Sequence, residues 1–283
     1  MGDALARAAG RLRAAGSSSP RLDAELLLGH VLGWSRTEVL ARAERPVPPQ
    51  AIRAFDALIT RRADLEPMAY LLGEREFYGR SFRVDRRALI PRPETELLVD
   101  LGVAAVQRWR RQGIEPTVAE VGTGSGAVAV SVSLAAGLPV VATELSADAL
   151  ALARENAYLL GADVRFVQAD LLAGVRGPIH VLLANLPYVP DARVLPRDVA
   201  GYEPHVALFG GQRGTELIET LLRQAQSLLA PGGEVCVELD EEQQAQPVAA
   251  LACELYADAE VSICQDAGGY DRVVRVLTRQ RAI

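Results

Sequence analysis

At 283 residues, with 49% hydrophobic and 23% charged residues, the chain has the makeup of a soluble globular protein long enough for a small domain joined to a larger one. All 30 basic residues are arginine, which excludes a Schiff-base lysine and a phosphate-loop lysine, and the formal charge of −6 argues against nucleic acid as the default partner. No apolar run approaches the roughly 20 residues of a membrane span and the opening MGDALARAAGRLRAAG holds no signal-peptide core, so a cytoplasmic protein without a membrane partner is expected.

Residues 1–73 read as a helical domain. Leu5 and Leu12 share a helical stripe, and Ser19-Pro20 opens a second helix over RLDAELLLGHVLG with Ser19 as its cap. Ser35 and Glu38 form a capping-box pattern, and PVPPQ precedes the run AIRAFDALITRRADLE. EREFYGRSFRV alternates bulky and polar residues around Gly79, which predicts a hairpin within a linker over 74–92. IPRPETE then leads into the helix ELLVDLGVAAVQRWRRQ.

From Thr117 the strands TVAEVG, PVVATEL, DVRFVQAD, IHVLLAN and GEVCVEL are interleaved with helical runs, among them SADALALARENAYLL and TELIETLLRQAQSLL. That interleaving predicts an α/β domain over 93–283, with a mainly parallel sheet covered on both faces. AEVSICQD and DRVVRVLT, separated by Gly268-Gly269, predict a closing antiparallel hairpin. Cys236, Cys253 and Cys264 lie in no metal-ligand spacing and read as reduced, buried thiols. His30, His180 and His205 stand far apart and read as packing or surface residues, so no metal site is expected.

Gly122-Thr123-Gly124-Ser125-Gly126 falls between a strand and a helix, where glycine lets the backbone turn tightly and approach a ligand. Taken alone it is equally a tight turn. A dinucleotide fingerprint would set its third glycine where Ala127 stands, so the spacing favours S-adenosylmethionine, which has no pyrophosphate to seat on a helix N-terminus. Glu144 ends the next strand about 20 residues on, where a carboxylate can accept from ribose hydroxyls. Asp170 can accept from the adenine amino group and Leu171 offers apolar contact, although a helix cap and a core leucine explain the pair as well.

Asn185-Leu186-Pro187-Tyr188 follows the strand IHVLLA and resembles the Asn-Pro-Pro-Tyr signature of methyltransferases acting on planar nitrogen. An amide nitrogen is a poor nucleophile because its lone pair is delocalised into the carbonyl. The Asn185 side-chain oxygen and the Leu186 carbonyl can each accept one amide hydrogen and turn that lone pair toward a methyl donor. Tyr188 can cover the flat amide and exclude water. Leu186 replaces the usual proline, yet as the residue before Pro187 it is biased to extended backbone. Asn-Leu-Pro-Tyr also resembles the signature of ribosomal RNA adenine dimethyltransferases, so the four residues leave amide and adenine open.

PMAYLLGEREFYGRSFRVDRRALIPRPETELLVD, VAEVGTGSGAVAV, ANLPYVP, YEPHVALFGGQRGTELIETLL and GYDRVVRV together resemble, in order, the release-factor glutamine methyltransferases, the HemK/PrmC family. The resemblance implies a Rossmann-like class I methyltransferase domain, a small N-terminal helical domain that helps hold a peptide chain release factor, and S-adenosylmethionine as cofactor. It implies methylation of the glutamine of a Gly-Gly-Gln motif; a monomer with no direct nucleic-acid substrate is expected. It also puts Arg92, Pro93 and Glu94 near the cofactor side of the cleft, where composition alone reads a capped helix entrance. Tyr202-Glu203-Pro204 borders the substrate opening or is a simple loop. The chain's own Gly210-Gly211-Gln212 reads as coincidence rather than self-methylation. Two rivals stand beside this reading: an RNA adenine methyltransferase, and a noncatalytic cofactor-binding partner protein.

Overall fold

The structure is a computed structural model describing residues 1–240 and 242–280. By contacts the chain forms two compact units, residues 1–74 with 195–203, and residues 75–194 with 204–283. The sequence reading differs at both seams: it sets the hairpin apart as linker and keeps 195–203 within the catalytic domain.

The first unit contains α1 (Gly2–Ala14), α2 (Pro20–Leu32), α3 (Arg36–Ala41), α4 (Pro49–Ala63) and α5 (Met68–Leu72). Leu5, Leu12, Leu27, Leu28, Phe55 and Ile59 are fully buried together, each contributing about 1.5–3 kcal/mol of transfer free energy. The Ser35–Glu38 capping box opens α3, satisfying backbone donors at both Ser35 and Glu38. Ser19 does not cap α2. Its hydroxyl donates instead to Asp23, a buried carboxylate that also takes Ser17 and the Arg62 guanidinium. A buried charge draws every nearby donor, and here it outcompetes the backbone.

The second unit begins with the hairpin β1 (Glu74–Phe77) and β2 (Arg80–Arg83), followed by α6 (Glu96–Arg110). Phe77 and Phe82 meet edge to face and join the core of this unit, while Asn156 holds the backbone of Arg83 through two hydrogen bonds. Then come β3 (Val118–Val121), α7 (Ala127–Ala136), β4 (Val140–Glu144), α8 (Ala147–Leu160), β5 (Val164–Gln168) and β6 (Ile179–Ala184). After the short α9 (Arg197–Ala200), grouped with the first unit, follow α10 (Glu216–Ala225), β7 (Leu229–Glu238), α11 (Glu242–Leu255), β8 (Glu260–Gln265) and β9 (Asp271–Leu277).

The strand order is β5-β4-β3-β6-β7-β9-β8. Pairings from β5 through β7 are parallel, and β9 runs antiparallel to both β7 and β8. Alternation along β6 builds two cores: Val181 and Leu183 face the cluster of α6 and α7 residues, while Leu182 and Ala184 face that of α10 and α11. The sequence reading assigned no helix over 242–255. Cys253, read as buried, is exposed on that helix. Among the described residues no helix is long and apolar enough to cross a membrane.

Candidate functional site

The parallel ladder collects the candidate residues at one edge. Val121 pairs with Thr143 on one side and Ala184 on the other, so Gly122, Glu144 and Asn185 emerge from neighbouring strand ends. Glu144 pairs with Gln168, which brings Asp170 to the same edge. The order reverses here between β3 and β6, a position where open α/β sheets leave a crevice. A cavity of about 390 Å³ lies at this edge, within the size range of small-molecule sites.

Gly122, Thr123, Gly124 and Ser125 line the cavity, as do Glu144, Asp170 and Leu171. Asn185, Leu186 and Pro187 line it from the second loop, and Arg92 from the segment before α6. Gly126, Pro93, Glu94 and Tyr188 stand outside its described lining. Gly126 has φ +84° at the start of α7, and a Cβ there would come within 3.2 Å of Ala153, so its demand is helix approach. Gly122 has φ +73°, and a Cβ there would meet the buried Leu186 side chain at 2.9 Å. The glycine loop and the Asn-Leu-Pro-Tyr loop are thus packed on each other.

Glu144 accepts from the backbone N–H of Gly124 and of Ser146, both at 2.9 Å. A carboxylate offers about four acceptor positions, so fixing it this way leaves lone pairs for a ligand. Glu120, inside β3, also lines the cavity and is buried. Burial pushes its carboxyl up to about 7, although the Thr123 hydroxyl and the Ala129 N–H donate to it.

The Asn185 side-chain nitrogen donates to Thr95 Oγ1 at 3.0 Å and to Glu238 Oε1 at 2.9 Å. Tyr188 lies beside this cluster. Burial first, then the carboxylates of Glu238, Asp240 and Glu94, raise its phenol above the usual tyrosine range. Its carbonyl accepts from Gln244 at 2.8 Å. The loop is braced by residues 208–214: the Val189 N–H donates to the Leu208 carbonyl, the Gly210 N–H to the Val189 carbonyl and the Asp191 N–H to the Gly211 carbonyl. A Cβ at Gly210 or Gly214 would collide with the carbonyl of Pro187 or Tyr188. Gly210 therefore has a packing reason to be present, Gly211 has φ +107° and would set a Cβ 2.8 Å from the Glu216 side chain, and Gln212 is exposed.

Thr95, Glu120, Glu238 and His205 were not singled out as site residues from sequence. His205, read as a packing or surface residue, stacks on Phe209 at 4.2 Å and lines the cavity. Tyr202 and Glu203 group with the first unit, where the Tyr202 hydroxyl donates to the Asp64 carbonyl, while Pro204 lines the cavity. Among the described residues no group of three or more His, Cys, Asp or Glu could hold a metal ion.

Known proteins give this geometry a context. The family profile of the PrmC N-terminal domain matches residues 3–73, and that of the methyltransferase small domain matches residues 98–197. A release factor glutamine methyltransferase of Deinococcus radiodurans is 42% identical over 279 residues, covering 96% of each chain. One of Chlorobaculum tepidum is 41% identical over 267 residues, covering 89% of this chain and 88% of the relative. In three dimensions a methyltransferase of Pyrococcus furiosus matches with a TM-score of 0.53 at 20% identity, over 72% of this chain and 91% of that one, a likeness of fold.

Proposed function

This chain belongs to the family of release factor glutamine methyltransferases, and from that premise we propose that it moves the methyl group of S-adenosylmethionine onto the side-chain nitrogen of the glutamine in a release factor's Gly-Gly-Gln loop. The observation that carries the reading is the single cavity shared by the glycine loop, Glu144 and Asn185-Leu186-Pro187. It gives a methyl donor and a planar amide adjoining places at one sheet edge.

The donor set fits the cofactor. Glu144, held by two backbone N–H groups, keeps acceptor positions for ribose hydroxyls. Asp170 and the buried Leu171 offer an acceptor and an apolar surface for adenine, and the loop from Gly122 to Ser125 lets backbone approach the methionine part. When bound, the cofactor supplies an electrophilic methyl group on a sulfonium. Asn185 Oδ1 and the Leu186 carbonyl each accept one hydrogen of the substrate amide, fixing its plane and turning its nitrogen lone pair toward that methyl. Both acceptors also stabilise the positive charge that develops on nitrogen, and one of the two amide protons then leaves to solvent so that the product is the neutral N-methylamide. Tyr188 backs the acceptor pocket from outside the cavity lining. The helical unit holds the release factor away from its glutamine, so that remote binding positions the amide. An acceptor on the translation machinery implies a cytoplasmic site of action.

The test is incubation with a methyl-labelled donor and a purified release factor, followed by mapping of the modified residue. Label on the Gly-Gly-Gln glutamine is expected. Label on RNA adenine, the alternative that Leu186 raises, or no transfer to any partner, would overturn the reading.

A further inference from the structure

We infer that Thr95 and Glu238 act as a positioning clamp that fixes which end of the Asn185 side-chain amide faces the acceptor. The inference rests on the proposed amide chemistry and deepens it. The two ends of an asparagine amide are nearly the same size, so shape alone does not choose between oxygen and nitrogen. The function needs the oxygen presented.

The choice follows from the polarity of a closed set of hydrogen bonds. Thr95 Oγ1 donates its one proton to Glu238 Oε1 at 3.0 Å. It therefore meets Asn185 with a lone pair, and only the nitrogen end can satisfy it, at 3.0 Å. Glu238 Oε1 accepts from the same nitrogen at 2.9 Å, so the nitrogen end of that amide is held by two acceptors and Oδ1 is left for another partner. Register explains the meeting. Ala184 pairs with Val237 in the parallel β6–β7 ladder, which sets Asn185 and Glu238 side by side at the strand ends. Thr95 comes from the single turn of 3-10 helix Pro93–Thr95, so the PRPET segment reaches this cluster through its threonine.

Glu238 is 1% exposed, and its second oxygen, like one oxygen of Glu234 in the same strand, is buried without a hydrogen-bond partner among the described residues; where Glu234 holds Arg108 and Arg275, Glu238 holds Thr95 and Asn185. An apolar side chain would avoid that unmet polar atom. Burial pushes the carboxyl up to about 8, toward its neutral form, in which Oε1 accepts from both Thr95 and Asn185. A glutamine at this position reproduces that arrangement, with an acceptor at Oε1 and a donor at the second atom.

Single-turnover methylation at saturating release factor, cofactor titration and the Asn185 side-chain amide resonances together test the clamp. Glu238→Leu should lower the single-turnover rate about 10²-fold, the scale of losing one preorganised polar group, with cofactor affinity and release-factor KM changed less than about threefold. Glu238→Gln should stay within about fivefold of the unaltered protein. Thr95→Val should fall about tenfold and Thr95→Ser recover. In an Asn185→Ala background neither Glu238→Leu nor Thr95→Val should cost anything further, since both act through the missing amide. The Asn185 amide protons should be protected from exchange in the unaltered and Glu238→Gln proteins and lose that protection in Glu238→Leu. If Glu238→Leu does not fold, the two Thr95 variants carry the same comparison. Undiminished turnover in Glu238→Leu or Thr95→Val, equal damage from Gln and Leu, or losses that persist without Asn185 would overturn the clamp. Protected amide protons in a protein that labels no glutamine would instead overturn the functional reading and leave the clamp standing.

Discussion

Replacing Glu144 by alanine removes the acceptor assigned to ribose, and its effect can be sized from the contacts the carboxylate already makes. In the protein alone it loses two bonds from the N–H groups of Gly124 and Ser146, each 2.9 Å. Bonds to a charged group contribute about 1.5–3 kcal/mol each when buried. The carboxylate is half-buried, so water can replace much of that, and a net loss of about 1 kcal/mol is reasonable, lowering Tm by roughly 2–4 °C. With cofactor the variant additionally forfeits one or two charge-assisted bonds to ribose, about 2–4 kcal/mol. Cofactor Kd should therefore rise roughly 30- to 1,000-fold, far more than the stability change alone would bring. Isothermal calorimetry with the cofactor or its demethylated product gives Kd, and thermal unfolding gives the stability. A folded variant binding as tightly as the unaltered protein would remove Glu144 from the ribose site and leave it as a brace between the glycine loop and α8.

Asn185→Ala should keep cofactor affinity while single-turnover methylation falls about 10²–10³-fold; a near-normal rate would reduce Asn185 to a turn residue. A free peptide bearing the Gly-Gly-Gln loop should show kcat/KM at least about 10²-fold below that of the folded release factor, because it must lose its own flexibility and lacks remote binding; equal efficiency would refute the recognition role of the helical unit. Stability should fall between about pH 5 and pH 8. Burial raises the carboxyls of Glu120 and Glu238 from an ordinary 4.5 to about 7 and about 8, so the folded state holds protons the unfolded chain has released. Their stabilisation is complete below about 4.5 and is lost as pH rises through the folded values, on the order of a few kcal/mol. Glu238→Gln should flatten the dependence of Tm on pH in that window, and an unchanged slope would show that Glu238 does not titrate there.

Much of the fold is legible because its elements obey strong local rules. Leu5 and Leu12 lie seven residues apart on a helix, the box at Ser35 and Glu38 forms as spelled, and the strand and helix alternation after Thr117 yields the parallel sheet. Where reading fails, a long-range or small-residue effect is responsible. The helix over 242–255 buries Ala245, Val248 and Ala252, a correct spacing drawn in small side chains and interrupted by Pro247. Ser19 is diverted by the buried Asp23. Nothing in the composition of residues 195–203 marks them off from their neighbours, and their grouping with the first unit is a matter of tertiary contact.

Residues that follow strand ends could be found from sequence because the carboxyl edge of a parallel sheet is a rule of topology. Gly122, Glu144, Asp170 and Asn185, which share one sheet edge, are proposed as site residues in that way. Glu238 and Thr95 are not, since their meeting with Asn185 depends on the β6–β7 register and on a turn before α6. A local signal was nevertheless present: Glu120 is a carboxyl inside the buried strand β3, and Glu234 and Glu238 lie in the buried stretch of β7. Such a residue is unfavourable unless something answers it. Glu234 shows the structural answer in the same strand as Glu238, paired at 2.7 Å with both Arg108 and Arg275. Glu120 and Glu238 are answered by hydroxyl, backbone and asparagine N–H donors, with carboxyls held toward neutrality, and each adjoins a loop that lines the cavity. An acid neutralised by arginines can hold a sheet together. Acids drawn toward their neutral form by burial, and hydrogen-bonded to a threonine, a glycine-loop helix and an asparagine, mark the edge where the chemistry is assigned.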